Sequence, residues 1–400
     1  MGIIFVLLFV SLMCFSDSLN FILIDTCITD ADRLLDVECY GNLLYCADFA
    51  NDIRVFNASD VENLIELGTI AVNGYPQRFS FFGHYLYSAN RDGGLCLLDL
   101  SEGVLPPIKA HYNDGDVITG IWGDSQFVYA AGPDGFKVFS IENDTLLLKD
   151  SIYTVTFTSN DVYVKGDRAY VCNWDNGTSI VDISDKNNLD VISTIPTSDY
   201  SCECYIRDTI LYVAEYSNGV RCYDVSDASN PIQIDSMPIG SAIEMQFNRN
   251  RLFVGNAEGI YVYYLNQNGS STLIGFYTGY DVSKGISIRN DTVFSCAEFS
   301  GMNIYEFCDP LAVCENPPFK SNESISIQTF FLGRIKILSE SEEICRMEVL
   351  DLSGRRIMDN SLNLNIGMNE FQIPDISSGS YFILLRTKEN VLCRKIIYLK

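Results

Sequence analysis

The stretch Arg168–Thr194, RAYVCNWDNGTSIVDISDKNNLDVIST, decides the fold. It alternates apolar and polar residues, breaks at Asp, Asn and Gly, alternates again, breaks at SDKNN and ends in a third alternating run. Period-two runs bounded by turn residues read as strands. The Asn-Gly pair supplies the positive φ angles of a tight hairpin. The segment AYVCN has counterparts in LYCAD, LYSAN, VYAAG, LYVAE, LFVGN and VFSCA. The aromatics of the series are Tyr45, Tyr87, Tyr129, Tyr170, Tyr212, Phe253 and Phe294, spaced by 42, 42, 41, 42, 41 and 41 residues. Even spacing at this period, with several strands per unit, predicts an all-β chain built on a seven-bladed β-propeller.

Each unit follows one plan. Apolar residues stand eight and six positions before the aromatic: Val37 and Cys39, Phe79 and Phe81, Val162 and Val164, Cys204 and Ile206, Met245 and Phe247, Ile286 and Ile288. They mark a first strand, a; the third unit has Ile121 but Gly123. Strand b carries the aromatic, a Gly-containing turn follows, strand c ends in phrases such as IVDISD or CYDVSD, and strand d completes the blade. The seventh unit stops after MNIYEF, without a strand d. Residues 21–29, FILIDTCIT, resemble LDVISTIPT of unit four and are expected to pair with strand c of the last blade. That pairing closes the ring and removes two exposed edges.

Composition agrees. Of 400 residues 47% are hydrophobic and 20% charged, a globular balance, and 23 Tyr with 24 Phe favour strands. The net charge of −25 speaks against a nucleic-acid partner. From residue 327 onward there are 10 basic and 9 acidic residues, leaving 17 basic and 43 acidic before it, so the acid lies in the propeller. Residues 1–18, MGIIFVLLFVSLMCFSDS, read as a signal peptide with cleavage after Ser18; no other segment is a candidate transmembrane span. Most of the 14 cysteines lie in strand patterns and read as small buried hydrophobes, whereas Cys308 and Cys314 around DPLAV are a candidate disulfide. With two histidines and no C-x-x-C pair, no metal site is expected.

The phrases DVYVKGDRAYVCNWDNGTSIVDISDKNNLDV and LYVAEYSNGVRCYDVSDASNPIQI resemble the LVIVD repeat of bacterial extracellular propellers. The resemblance spans roughly residues 21–308 and implies a fold and an outside location, not a reaction. Residues 309–326 read as a linker. Residues 327–400 contain GRIKIL, CRMEVLDLSGRRIM, NEFQIPD, SYFILLRT and RKIIYL, alternating runs that predict a small β-sandwich. This part resembles the C-terminal sorting domain of the type IX (Por) secretion system of the Bacteroidetes group. The carriers are Asp351, Gly354 and Arg355 in DLSGR, Gly367 and Asn369 in IGMNEFQIPD, Gly379 and Tyr381 in ISSGSYFILL, and Lys395 in the last strand; ENPPF stands where that family has Pro-Asn-Pro. The resemblance implies as partners an outer-membrane translocon and a sorting peptidase. It places the protein at the surface of a Gram-negative bacterium or in the medium, reached through the periplasm.

Chemistry is sought where equivalent positions of the repeat converge. Nine residues before the aromatic stand Asp36, Arg78, Gly120, Asp161, Glu203, Glu244 and Gly285. This ring falls at the start of strand a, by the channel mouth, where acids attract a cation or accept loop amides of a neighbouring blade. Three residues after the aromatic stand Asp48, Asn90, Asn173, Glu215 and Asn256, as turn starters or as a second binding ring. Trp122, Tyr163 and Tyr205 read as packing between blades. His84 and His111 have no partner set for general base work. YNDGD and NWDNG faintly resemble calcium loops without their full spacing. No nucleophile elbow or phosphate loop occurs. The expectation is a secreted or surface, non-catalytic module binding a protein or glycan. The alternatives are an extracellular hydrolase or lyase using the mouth acids, and a calcium-stabilised structural protein; no other cofactor is expected.

Overall fold

The computed structural model describes residues 18–27, 33–49, 52–153, 160–266, 270–279, 283–297, 301–307, 325–331, 334–339, 343–351, 356–372, 379–386 and 391–398. The chain divides into two units, Met1–Cys308 and Asp309–Lys400.

Unit one is a ring of seven antiparallel sheets. In blade four, strands a to d are Asp161–Lys165, Arg168–Cys172, Thr178–Asp182 and Asp190–Ile195. The other blades repeat this meander over residues 34–70, 78–112, 120–152, 203–237, 242–278 and 283–307. Every strand a touches the strand a of both neighbouring blades, so these strands line the axis. The repeat aromatics are the pegs of the fold: all seven are at most 2% exposed. The core lies between blades. Tyr129 and Val138 of blade three pack with Val162 and Val171 of blade four, and Tyr170 and Cys172 of blade four pack with Cys204 and Val213 of blade five. Strand b is therefore covered on both faces, which is why it reads as a nearly continuous apolar run. Trp122, Tyr163, Tyr205 and Phe247 form a file across blades three to six, with centroids 6.2, 4.4 and 3.9 Å apart.

In each blade the c–d pairing slips by one residue at the same place, as between Val55 and Phe56, Ile180 and Val181, or Cys222 and Tyr223. A bulge there sharpens the right-handed twist of the blade towards its outer edge.

The ring closes as the repeat pattern requires. Phe21–Cys27 pairs antiparallel with Gly301–Phe307, from Phe21 against Phe307 to Cys27 against Met302, and supplies strand d of blade seven. Ser18–Leu19 pairs with strand d of blade six. Residues 1–17 of the expected signal peptide, and 28–29 of the expected closing strand, lie outside the described residues.

Unit two has a three-stranded sheet, Ile325–Phe331, Arg334–Ser339 and Gly367–Gln372, and a four-stranded sheet, Arg356–Leu364, Glu343–Asp351, Gly379–Arg386 and Val391–Tyr398. Ile335 and Ile337 of the first share one core with Met347, Val349, Ile383 and Leu385 of the second, which makes a small β-sandwich. Its first strand starts at Ile325, ahead of the expected boundary at 327, and CRMEVLDLSGRRIM contributes to two strands instead of one.

The described cysteines Cys27, Cys39, Cys46, Cys96, Cys172, Cys202, Cys204, Cys222 and Cys296 are free thiols. Burial pushes Cys39, Cys96 and Cys202 up to about 12, which makes them poor nucleophiles. Cys308 and Cys314 lie outside the described residues.

Candidate functional site

The first ring is a set of stitches between blades. Asp36 Oδ2 accepts the amide of Phe79 at 2.7 Å, Asp161 accepts the amide of Cys204, and Glu203 accepts the amide of Met245. Each donor stands one position beyond the ring residue of the next blade. The acceptors serve strand-a amides rather than loop amides. Arg78, from blade two, ties the far side: its Nη1 lies 3.1 Å from Glu203 Oε1 and 2.8 Å from Glu244 Oε2, and its Nε 4.0 Å from Asp161 Oδ1. One guanidinium thus reaches blades four, five and six.

The two glycines of the ring sit where the next strand a leaves no room for a side chain. A Cβ on Gly120 would stand 2.5 Å from Asp161 Cα, and one on Gly285 2.5 Å from Asp36 Cα. Gly285→Ala is expected to lower stability by about 1–3 kcal/mol through overpacking, read as a lower urea midpoint with unchanged slope. An unchanged midpoint would contradict the tight approach.

Carboxylates crowd this ring, and burial is the largest effect on each. It pushes Asp36 to about 6 and, aided by Asp36, Glu38 to about 8. Asp161 is raised, and Glu203 and Glu244 are raised well above the ordinary range despite Arg78. Burial opposes the charge on Arg78, but Glu244, Asp161, Glu203 and Asp36 outweigh it. Burial and Arg33 lower Lys284, which also feels Arg78 and Glu244.

The second ring is brought together only in the sense of repeat symmetry. Asp48, Asn90, Asn173, Glu215 and Asn256 are at most 2% exposed and brace their own hairpins. Asn90 accepts from Ser88 and donates to Cys96 Sγ; Asn173 donates to Ser179 at 2.9 Å; Asn256 donates to Gly240 O and accepts from Glu258 N. Asp48 lies 3.8 Å from Arg54, and Glu215 pairs with Arg221 at 3.0 Å and accepts from Tyr223. In YNDGD, Asp114 and Asp116 share the ammonium of Lys137 at 2.5 and 2.7 Å. His84 stands 3.6 Å from Asp99 in an a–b turn, at the far end of the strands, and His111 Nε2 lies 2.9 Å from Gly93 O.

The propeller and the terminal sandwich each match a known family profile. Residues 34–71, 73–114, 158–197 and 202–237 match the LVIVD repeat, and residues 322–399 match the secretion system C-terminal sorting domain. The chain is an LVIVD-repeat propeller with a secretion sorting tail. The matched repeats are blades one, two, four and five. No curated protein matches the chain. Among solved structures, the computationally designed Ika8 protein is similar at 11% identity and a TM-score of 0.53, over 70% of this chain and 98% of that one; the likeness is one of fold.

The sorting tail marks the propeller for type IX export, to the cell surface or beyond. Within the tail, Gly367 turns at φ 99° and Asn369 pins that turn, accepting from Asn365 N and donating to Asn365 O and Gly367 O. Asp351 lies opposite Tyr381, Gly379 opposite Tyr398 and Lys395 opposite Phe382. Gly354 and Arg355 lie outside the described residues. No helix among the described residues is long and apolar enough to cross a membrane.

The LVIVD propeller also carries a feature that the two rings do not include. On the loops at the mouth end, Trp174, Tyr200 and Tyr216 are 39%, 45% and 38% exposed. Trp174 and Tyr216 each follow a second-ring residue, four positions after the repeat aromatic, and Tyr200 stands twelve before the next one. Phe49 and Tyr75 occupy the same two positions between blades one and two and stack at 4.9 Å, with Arg91 over the Phe49 ring at 6.0 Å. Aligning the repeats at these positions shows the recurrence; exposure is what alignment does not carry.

Proposed function

We propose that the propeller is a non-catalytic binding module, carried out of the cell by its sorting tail and released or surface-held after a peptidase removes the tail. The observation that carries this reading is the exposed aromatic file Trp174–Tyr200–Tyr216 on the mouth face. Exposed aromatic surface on a rigid scaffold marks an interaction site. The engagement of the ring carboxylates in interblade amides and in Arg78 also favours binding over hydrolysis or lysis by those acids.

The test takes two steps. In the native host, the extracellular form should lack the matched tail, and deleting residues 322–399 should leave the chain in the periplasm, seen by fractionation and intact mass. Purified labelled full chain should then adhere to extracellular material, and a Tyr200→Ser/Tyr216→Asn double variant should lose adherence. Phe82→Ser, at the opposite end of the strands, should retain it. Equal adherence of all three, or adherence of none, would sink the reading.

A further inference from the structure

Trp174, Tyr200 and Tyr216 form one braced row. Trp174 and Tyr200 meet edge to face at 5.3 Å and 81°, and Tyr200 and Tyr216 at 6.2 Å and 63°. The backbone under the row is held hard. Trp174 and Tyr216 have φ angles of 47° and 26°, positions that suit Gly or Asn, and each bridges to the start of the next blade, Trp174 to Ser201 and Tyr216 to Ala242. A bulky aromatic in left-handed backbone carries strain, and these two bury no core in return.

Fixed polar groups flank the rings. Asp199 accepts the amide of Ser217 at 3.0 Å and its hydroxyl as well, and those bonds hold its carboxyl below the usual range. Asn218 donates to Ser198 Oγ at 3.0 Å and lies 3.4 Å from Glu215 Oε2. A cleft of about 530 Å³ lies between blades four and five, bounded by Thr197, Ser198, Glu215, Arg221, Tyr223 and Gln233. Glu215 directly precedes Tyr216, and Ser198 stands two residues before Tyr200.

We infer that this row and the cleft are a binding site for a neutral glycan chain. The inference rests on the reading of the propeller as a binding module and names the ligand of that same face. A sugar ring has a C–H face that lies against an aromatic ring and a rim of hydroxyls that both donate and accept. Aromatic platforms beside a few fixed carboxylates and amides meet both demands. Rings braced in advance lose little freedom on binding. Asp175, Asp199 and Glu215 outweigh Arg221 here, on a propeller that is itself acidic, and repel a uronate or sulfate polymer. A proline-rich peptide is the rival occupant of an aromatic groove.

The test uses the full chain in native gels cast with starch, laminarin, galactomannan or xylan, and with alginate as the anionic control. At least one neutral polysaccharide should retard the wild type and alginate should not. Trp174→Asn and Tyr200→Ser should each weaken binding about thirtyfold, the size of an aromatic hot spot. Asn at position 174 keeps the left-handed backbone, and an unchanged melting curve certifies each variant as folded. Trp174 is one of two tryptophans in the chain. In a Trp122→Phe background the neutral polysaccharide should therefore alter tryptophan emission directly. No retardation by any neutral polysaccharide, binding to alginate alone, or folded variants that bind as wild type would overturn the inference. A second arm separates it from the broader reading. Adherence that depends on Tyr200 and is abolished by periodate treatment of the target supports a glycan. Adherence that depends on Tyr200, survives periodate and is lost to protease overturns the glycan and leaves the binding module standing.

Discussion

A chain lacking residues 18–27 should fail to form a cooperative propeller. The strand Phe21–Cys27 is the whole of strand d in blade seven. Phe21 is 5% exposed and meets Tyr305 at 5.8 Å and Phe307 at 5.1 Å, while Ile24 and Cys27 pack on the cluster that joins blades seven and one. Phe21→Ala alone is expected to cost about 3–5 kcal/mol. Loss of the strand uncovers the edge of Gly301–Phe307 and opens the ring. That is comparable with a domain's entire net stability of about 5–15 kcal/mol, and the bare edge invites aggregation. Circular dichroism should show no sharp melting transition, and size exclusion should show aggregates. Re-inserting the same segment between Cys308 and Asp309 should restore both, because the pairing needs the strand and not its place in the chain. A deletion variant that stays monomeric and melts within a few degrees of wild type would refute the closure.

Replacing Arg78 should be the most damaging single change at the channel. Arg78→Met keeps the bulk and removes the charge that Glu203, Glu244 and Asp161 share. Leaving buried carboxylates without their cation costs about 3–5 kcal/mol. Acid should relieve that cost. A carboxyl raised by burial binds its proton more tightly in the folded state. Its stabilising contribution is complete below the unfolded value near pH 4 and is lost as pH rises through the folded value. Asp36 at about 6 and Glu38 at about 8 set the window. Wild-type melting temperature should thus rise on going from pH 8 to pH 5, more steeply in Arg78→Met. Below about pH 4 the trend should reverse, because Asp114, Asp182, Asp224 and Asp227 are lowered and lose their stabilising bonds as they protonate. Adding Glu244→Gln to Arg78→Met should recover part of the loss at pH 8. A melting temperature flat between pH 5 and 8 in both proteins would show that the ring carboxyls are not linked to folding.

The blades and their closure were legible because each is a local pattern. Seven buried aromatics at one phase of the repeat, and a strand at the front that fits the gap at the back, need only periodicity to be seen. The sandwich was legible in outline, but its start was set two residues late, at 327 instead of Ile325, since an apolar run that follows Pro and Ser does not show where its strand begins. The second ring was located and read first as turn starters, with a binding role as the other reading: at Asn90, Asn173 and Asn256 a turn starter and a ligand group are the same residue. Tyr170 and Tyr200 carry the point furthest. They are the same amino acid thirty positions apart, one a core peg at 2% exposed and one a surface ring at 45%.

Sequence alone determined the all-β class, the number of blades and the closing strand, since these follow from period two and a repeat of 41 or 42 residues, and it gave the sorting tail through its resemblance to a known family. Only the tertiary structure decided which acids Arg78 reaches, which glycines the ring cannot replace and which aromatics stand in solvent. Those facts depend on closing the ring, which sets residues more than a hundred positions apart within 3 Å, as between Arg78 and Glu244, and no local pattern records such a distance.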